Sequence, residues 1–163
     1  MDRVTASLVA APFVFGVAAI LTRAPARRIG ASLVAGLAFA AGNVGWDLVA
    51  RRWGWWRYPG FDGHGPLHWY AAAGLAAAGV ALIGWRIRRR FGHRGLVVFI
   101  AAFAVLIPIR DHGVSRAAEP AIVFGPGPWP WLADAAAGFS LMALAIAVLL
   151  AFGGDVGRLR GRS

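Results

Sequence analysis

The chain has 163 residues, is 59% hydrophobic and has a mean hydropathy of +0.62, which is more than a soluble domain of this size carries and places it with integral membrane proteins. With no cysteine, disulfide scaffolds, thiolate metal sites and cysteine nucleophiles are excluded. The formal charge of +10 rests on arginine alone, and the arginines flank apolar runs instead of forming one patch on a soluble domain, which argues against nucleic acid as a partner.

Taken in chain order, five apolar runs predict spanning helices: residues 4–22, 29–50, 68–85, 95–109 and 131–152. The first resembles a signal peptide in position, but no small-residue cleavage motif follows it and Pro12 sits mid-run, so it is expected to be a retained span. The fourth is the shortest and carries Pro108 near its end. The expected fold is therefore an all-α integral membrane helical bundle of about five transmembrane helices in a single domain, 1–163. Small-residue pairs such as Gly36 with Ala40 and Gly74 with Ala78 imply close helix packing.

Arginines set the expected orientation. Eleven fall on one side, at Arg23, Arg27, Arg28, Arg86, Arg88, Arg89, Arg90, Arg94, Arg158, Arg160 and Arg162. Six fall on the other, at Arg3, Arg51, Arg52, Arg57, Arg110 and Arg116. The N-terminus is accordingly expected outside the cell membrane and the C-terminal tail in the cytoplasm, with Arg51 and Arg52 opposing the rule.

Two segments echo each other. "GHGPLHWYAAAG" (Gly63 to Gly74) and "GPGPWPWLADAAAG" (Gly125 to Gly138) both run Gly-x-Gly-Pro, a Trp, then alanines into a span. Each follows an acid closing the previous span, Asp47 or Asp111, so two related span-loop-span units are expected behind the first helix.

On that topology Asp47, Tyr58, Asp62, His64, His68, Asp111, His112, Glu119 and Asp134 converge on the outer end of the bundle. So do Trp46, Trp53, Trp55, Trp56, Trp69, Trp129 and Trp131, leaving only Trp85 at the other end. Asp47 lies about one turn inside its span and shares a face with Asn43 at i, i+4. An ionisable group at that depth faces the interior and is a functional candidate, with Asp134 as its counterpart in the fifth span. A plainer reading pairs each acid with an arginine such as Arg51 or Arg110. The tryptophans are open to two readings as well, an interfacial anchoring belt or an aromatic-walled pocket able to hold a polyene and stabilise a carbocation. No metal is expected, since His68 and His112 sit outside any ligand-spaced motif, and Ser115 lacks a nucleophile setting.

At "WDLVARRWGWWRYP", followed by "PLHWY", the pattern resembles the membrane-embedded lycopene cyclase domain of the heterodimeric, cofactor-free carotenoid cyclases. Trp46, Asp47, Gly54, Trp56, Tyr58 and Pro66 carry the match, which covers the first half of the chain and reaches the second only through the echo. It departs where that family has paired glutamates and this chain has His68 and Trp69, which puts lycopene itself in doubt as the substrate. The resemblance implies an isoprenoid cyclase or isomerase working by acid–base protonation of an alkene or epoxide, or a hydratase, with no cofactor. Asp47, Glu119 or Asp134 would be the acid and His68 or His112 the base, with Asp111 nearby. Asn43, Trp46, Trp56, Tyr58, Trp69, Trp129 and Trp131 would line the hydrophobic isoprenoid or lipid. The alternative class is a non-catalytic membrane protein for lipid binding, transport or assembly, and a homo- or hetero-oligomer stays open in either case.

Overall fold

The computed structural model describes residues 3–61, 64–116 and 120–154. Among them the chain is all-helical apart from one small ribbon. The helices are α1 (Arg3–Thr22), α2 (Ala26–Trp53), α3 (Leu67–Ser115) and α4 (Trp129–Gly153). The ribbon pairs β1 (Trp56–Arg57) antiparallel with β2 (Val123–Phe124), Trp56 opposite Phe124 and Arg57 opposite Val123.

By length and composition three helices, α2, α3 and α4, can cross a membrane, and the apolar part of α1, Leu8–Thr22, is shorter. The sequence predicts five spans. The count differs because α3 joins two predicted spans, 68–85 and 95–109, with no loop between them: its arginine-rich middle is built from good helix formers and stays helical. Gly92 alone interrupts it, at φ 68° and ψ −160°, a conformation open to glycine and strained for any other residue. The two arms, 67–91 and 93–115, fold back on each other there. A straight helix would hold residues 84 and 99 about 22 Å apart, yet a β-carbon on Gly84 would touch the Phe99 ring, and Leu82, Trp85 and Leu96 share one core. The second arm also runs through Pro108 to Ser115, so Arg110, Asp111 and His112 are helical residues and not part of a loop.

Helix ends follow from local chemistry. Pro25 and Pro66 stand immediately before α2 and α3 in extended conformation, and α4 opens with Pro130 in its first turn. Gly54, left-handed at φ 67°, closes α2 in a Schellman turn in which its N–H bonds Arg51 O at 3.1 Å and the Trp55 N–H bonds Ala50 O at 2.8 Å. That turn sends the chain back across the end of α2 and sets the direction of β1.

Packing is close enough for backbone to meet backbone. A β-carbon on Gly36 would collide with the Gly74 carbonyl, and Ala40 and Ala78 complete the crossing, so the four small residues singled out in the sequence meet at one place. The second half repeats the contact. Gly74 faces the carbonyl of Gly36 and the β-carbon of Ala40, and Gly138 faces the carbonyl of Phe103 and the β-carbon of Ile107. Leu82, Met142 and Leu149 fill the core between the helices.

The ends of the bundle differ in charge. At one end Arg28 donates to Gly154 O at 2.9 Å, Arg86 reaches Thr22 O at 3.4 Å, and Arg28 and Arg89 lie 4.8 and 5.2 Å from the Trp85 ring. The ribbon and the described acids lie at the other. Asp62, Glu119 and the tail arginines Arg158, Arg160 and Arg162 lie outside the described residues.

Gly74→Ala is expected to lower the melting temperature in detergent by roughly 4–8 °C, as a methyl group forced against backbone costs about 2 kcal/mol. Gly30→Ala, where an added β-carbon meets open space inside α2, should not lower it and should raise it by a few degrees at most, about 0.5–1 kcal/mol. Thermal unfolding of the two variants side by side checks this.

Candidate functional site

The ribbon end holds one buried carboxylate with a complete donor set. Asp47, six residues before the end of α2, is 2% exposed. Its Oδ1 accepts from Trp56 Nε1 at 2.9 Å and from the Tyr58 hydroxyl at 3.1 Å, and its Oδ2 accepts from the Tyr70 hydroxyl in a short hydrogen bond. The Tyr70 oxygen itself accepts the Gly65 N–H at 2.6 Å, which commits the phenol hydrogen to Asp47. The donors come from β1, from the loop after it and from the first turn of α3, so a single side chain ties α2 to both.

Around this hub the aromatics are layered. Trp56 is buried and meets Phe124 of β2 edge-on, with centroids 6.0 Å apart. Trp69 buttresses Tyr58 at 5.9 Å and 70°, and the Gly125 N–H bonds Trp55 O at 2.8 Å, extending the ribbon by one link. Burial, and then the Asp47 carboxylate beside it, raise the Tyr58 phenol well above the ordinary tyrosine range. Tyr58 therefore remains a donor at physiological pH.

A cleft of about 630 Å³ opens over the hub. Asp47, Trp56, Tyr58, Phe61 and Phe124 line it together with Arg51, Arg57 and the main chain at Gly54 and Gly125. A shallower groove of about 390 Å³ runs along the flank of α2, lined by Gly42, Gly45, Trp46 and Val49.

Of the residues picked from sequence, Asp47, Trp56 and Tyr58 come together in the cleft, and Trp69 stands behind them. Asn43 is half-buried one turn earlier in α2. Trp46 donates to Ser140 Oγ at 3.0 Å and so clamps α2 to α4 beside the groove, outside the cleft. Trp129 and Trp131, 68% and 39% exposed, face outward as membrane-interface anchors do.

Asp111 pairs with Arg110 at 2.5 Å, whereas Asp47 and Asp134, the acids for which the plainer reading expects an arginine partner, make no ion pair among the described residues. Asp134 is 5% exposed, its Oδ2 has no hydrogen-bond partner among the described residues, and it lies near Arg110 and Asp111 and is not among the residues lining the cleft. His112 stacks flat on Phe124 at 3.8 Å, and His68 meets Trp69 edge-on, each with a buried Nε2 that has no partner among the described residues. No group of three metal-ligating side chains occurs among the described residues. Glu119 lies outside them.

Tyr70 is the main residue that sequence reasoning misses. The chain has two tyrosines, both within the polar stretch after Asp47, and that scarcity is the signal that could have linked them. No family model, curated protein or solved structure matches the chain.

Asp47→Ala leaves three donors unpaired, two of them buried, and should cost roughly 3–5 kcal/mol. Asp111→Ala, which removes an ion pair with an exposed arginine, should cost less than about 1 kcal/mol. Denaturant unfolding of both variants in detergent tests the contrast, and equal losses would contradict the hub.

Proposed function

We propose that this chain is a five-span membrane protein, with the two arms of α3 crossing separately, and that its ribbon end holds a cofactor-independent acid–base site for an apolar, isoprenoid-like substrate. The reaction class is cyclisation or isomerisation. The observation that carries the reading is the placement of Asp47, a buried carboxylate at the head of an aromatic-lined cleft, with two phenols in direct hydrogen-bond contact. The resemblance of "WDLVARRWGWWRYP" to lycopene cyclase domains supports the same class.

The chemistry balances without an oxidant or reductant. The site acts when Asp47 has taken up a proton: its carboxylic acid gives that proton to one carbon of an alkene and leaves a cation on the other. A second alkene attacks that cation to close a ring, and loss of a proton back to the site restores neutrality. Mass is unchanged. Ring faces of Trp56 and Phe124 along the cleft stabilise the intermediate charge. Capture of the cation by water would make the same site a hydratase.

A second reading has its own observation. Asp47 is already fully engaged by three donors, which suits a structural latch in a lipid-binding or assembly protein as well as it suits catalysis. Tyr70→Phe separates the two, since it keeps the packing and removes the proton-bearing contact. In cells accumulating linear isoprenoids, the enzyme reading expects a product of unchanged mass with the wild-type chain and a loss of 10²-fold or more with Tyr70→Phe. A product insensitive to Tyr70→Phe and Asp47→Asn, or no product from the folded wild type, favours the latch.

The proposed orientation puts the ribbon end outside the cell and the Gly92 turn in the cytoplasm. The chain has no native cysteine, so single cysteines report position cleanly. In intact cells a membrane-impermeant maleimide should label Arg52→Cys and leave Arg90→Cys unlabelled until the membrane is opened. The reverse pattern would invert the topology, and labelling of both would remove the five-span arrangement.

A further inference from the structure

Most positive charge sits at the Gly92 end, where the distribution of charge between membrane sides accounts for it. Arg51 and Arg57 lie at the opposite end, against that distribution, and both line the cleft beside Asp47. Both side chains are exposed, and neither makes an ion pair or a hydrogen bond among the described residues. Among the described residues Asp47 is the one acid in the lining, and its oxygens are engaged by Trp56, Tyr58 and Tyr70. The guanidinium groups of Arg51 and Arg57 thus face the same cavity without an ion pair among the described residues.

We propose that the cleft takes an amphiphile with an anionic oxygen headgroup, a phosphate or carboxylate, bound by Arg51 and Arg57, with its hydrocarbon chain against Trp56, Phe61 and Phe124. This rests on the reading of the cleft as the site for an apolar substrate, and it narrows that substrate to one carrying a charge at one end. Guanidinium groups match both oxyanions with paired, charge-assisted hydrogen bonds, whereas a neutral polyene would leave them facing hydrocarbon. Arg51 follows Asp47 by one helical turn on α2, about 5–6 Å along the axis. The headgroup is therefore held outermost, and the carbon atoms nearest to it are the ones brought beside Asp47.

The test uses the full chain in zwitterionic nanodiscs with four probes: farnesyl monophosphate, farnesoic acid, farnesol and inorganic phosphate. The two anionic amphiphiles are expected to bind roughly tenfold or more tighter than farnesol, and Arg51→Gln with Arg57→Gln should erase that preference. Arg52→Gln, which removes a charge at the same end from a residue outside the cleft lining, should preserve it, and melting curves of each variant confirm folding. Whichever of the phosphate and the carboxylate binds tighter identifies the headgroup. Farnesol binding as tightly as the anions, or a preference surviving the double substitution, would overturn the headgroup assignment while leaving the apolar-substrate reading in place. Inorganic phosphate competing as well as farnesyl monophosphate would make this a free oxyanion site, overturning both the amphiphile and the apolar-substrate reading. Absence of binding by every probe would overturn the proposal.

Discussion

The ribbon end is organised around one carboxylate that could not be buried without its donors. Moving an ionised carboxylate out of water costs several kcal/mol, and each charge-assisted hydrogen bond returns roughly 1.5–3 kcal/mol, so the three bonds from Trp56, Tyr58 and Tyr70 about offset the burial of Asp47. The net gain in stability is small, but the gain in definition is large. Any other path of the chain after Gly54 would strand the carboxylate or a buried indole N–H. The bonds therefore fix where β1 runs, and β1 fixes β2 through the pairing of Trp56 with Phe124. The floor of the cleft and the ribbon beside it follow from the same few contacts.

Behind that hub the two halves of the chain are built alike and furnished differently. Gly74 on Gly36 and Ala40, and Gly138 on Phe103 and Ile107, are the same helix crossing made twice. The ribbon joins the equivalent loops of the two halves, β1 after α2 and β2 after the second arm of α3. The acids break the likeness. Asp47 has three donors, whereas Asp111 leans on an exposed arginine and the Oδ2 of Asp134 has no partner among the described residues. In the first half Tyr58 and Tyr70 supply hydroxyls, and where Tyr70 stands four residues before Gly74, the second half has Asp134 four residues before Gly138. The complete donor set stands in the first half, and the second half contributes Phe124 to the cleft wall.

How much of this the sequence shows depends on the range over which each feature is determined. Helical character, the close contact of Gly36 with Gly74, and the gathering of acids at one end follow from composition and spacing, and all are legible. The reversal between the third and fourth predicted spans is legible too, but not that it takes a single residue, Gly92, because "RIRRRFGHR" reads as a loop by charge although arginine is a good helix former. The ribbon is illegible for a similar reason: strands of two residues leave no alternation to detect, and their partners are far apart in sequence. Tyr70 was hidden by its setting, since beside Trp69 and next to an apolar run it looks like an interfacial anchor. Trp129 and Trp131 look the same in sequence and are exposed. Only the return of the chain across Asp47 separates an aromatic that anchors from one that donates.

The close packing also bears on where a ligand can be held. Helices that meet through glycine carbonyls and alanine methyls leave little room between them, and Leu82, Met142 and Leu149 fill what remains at the centre. A molecule travelling along the bundle axis would have to separate the Gly36–Gly74 crossing and its counterpart at Gly138. The ribbon end has no such restriction, because loops and a two-residue ribbon cover it in place of packed helices. Space, aromatic surface and charge coincide there because helices packed this tightly exclude them from the middle of the bundle. That geometry favours a site that opens at one end of the bundle over a pathway that connects the two ends.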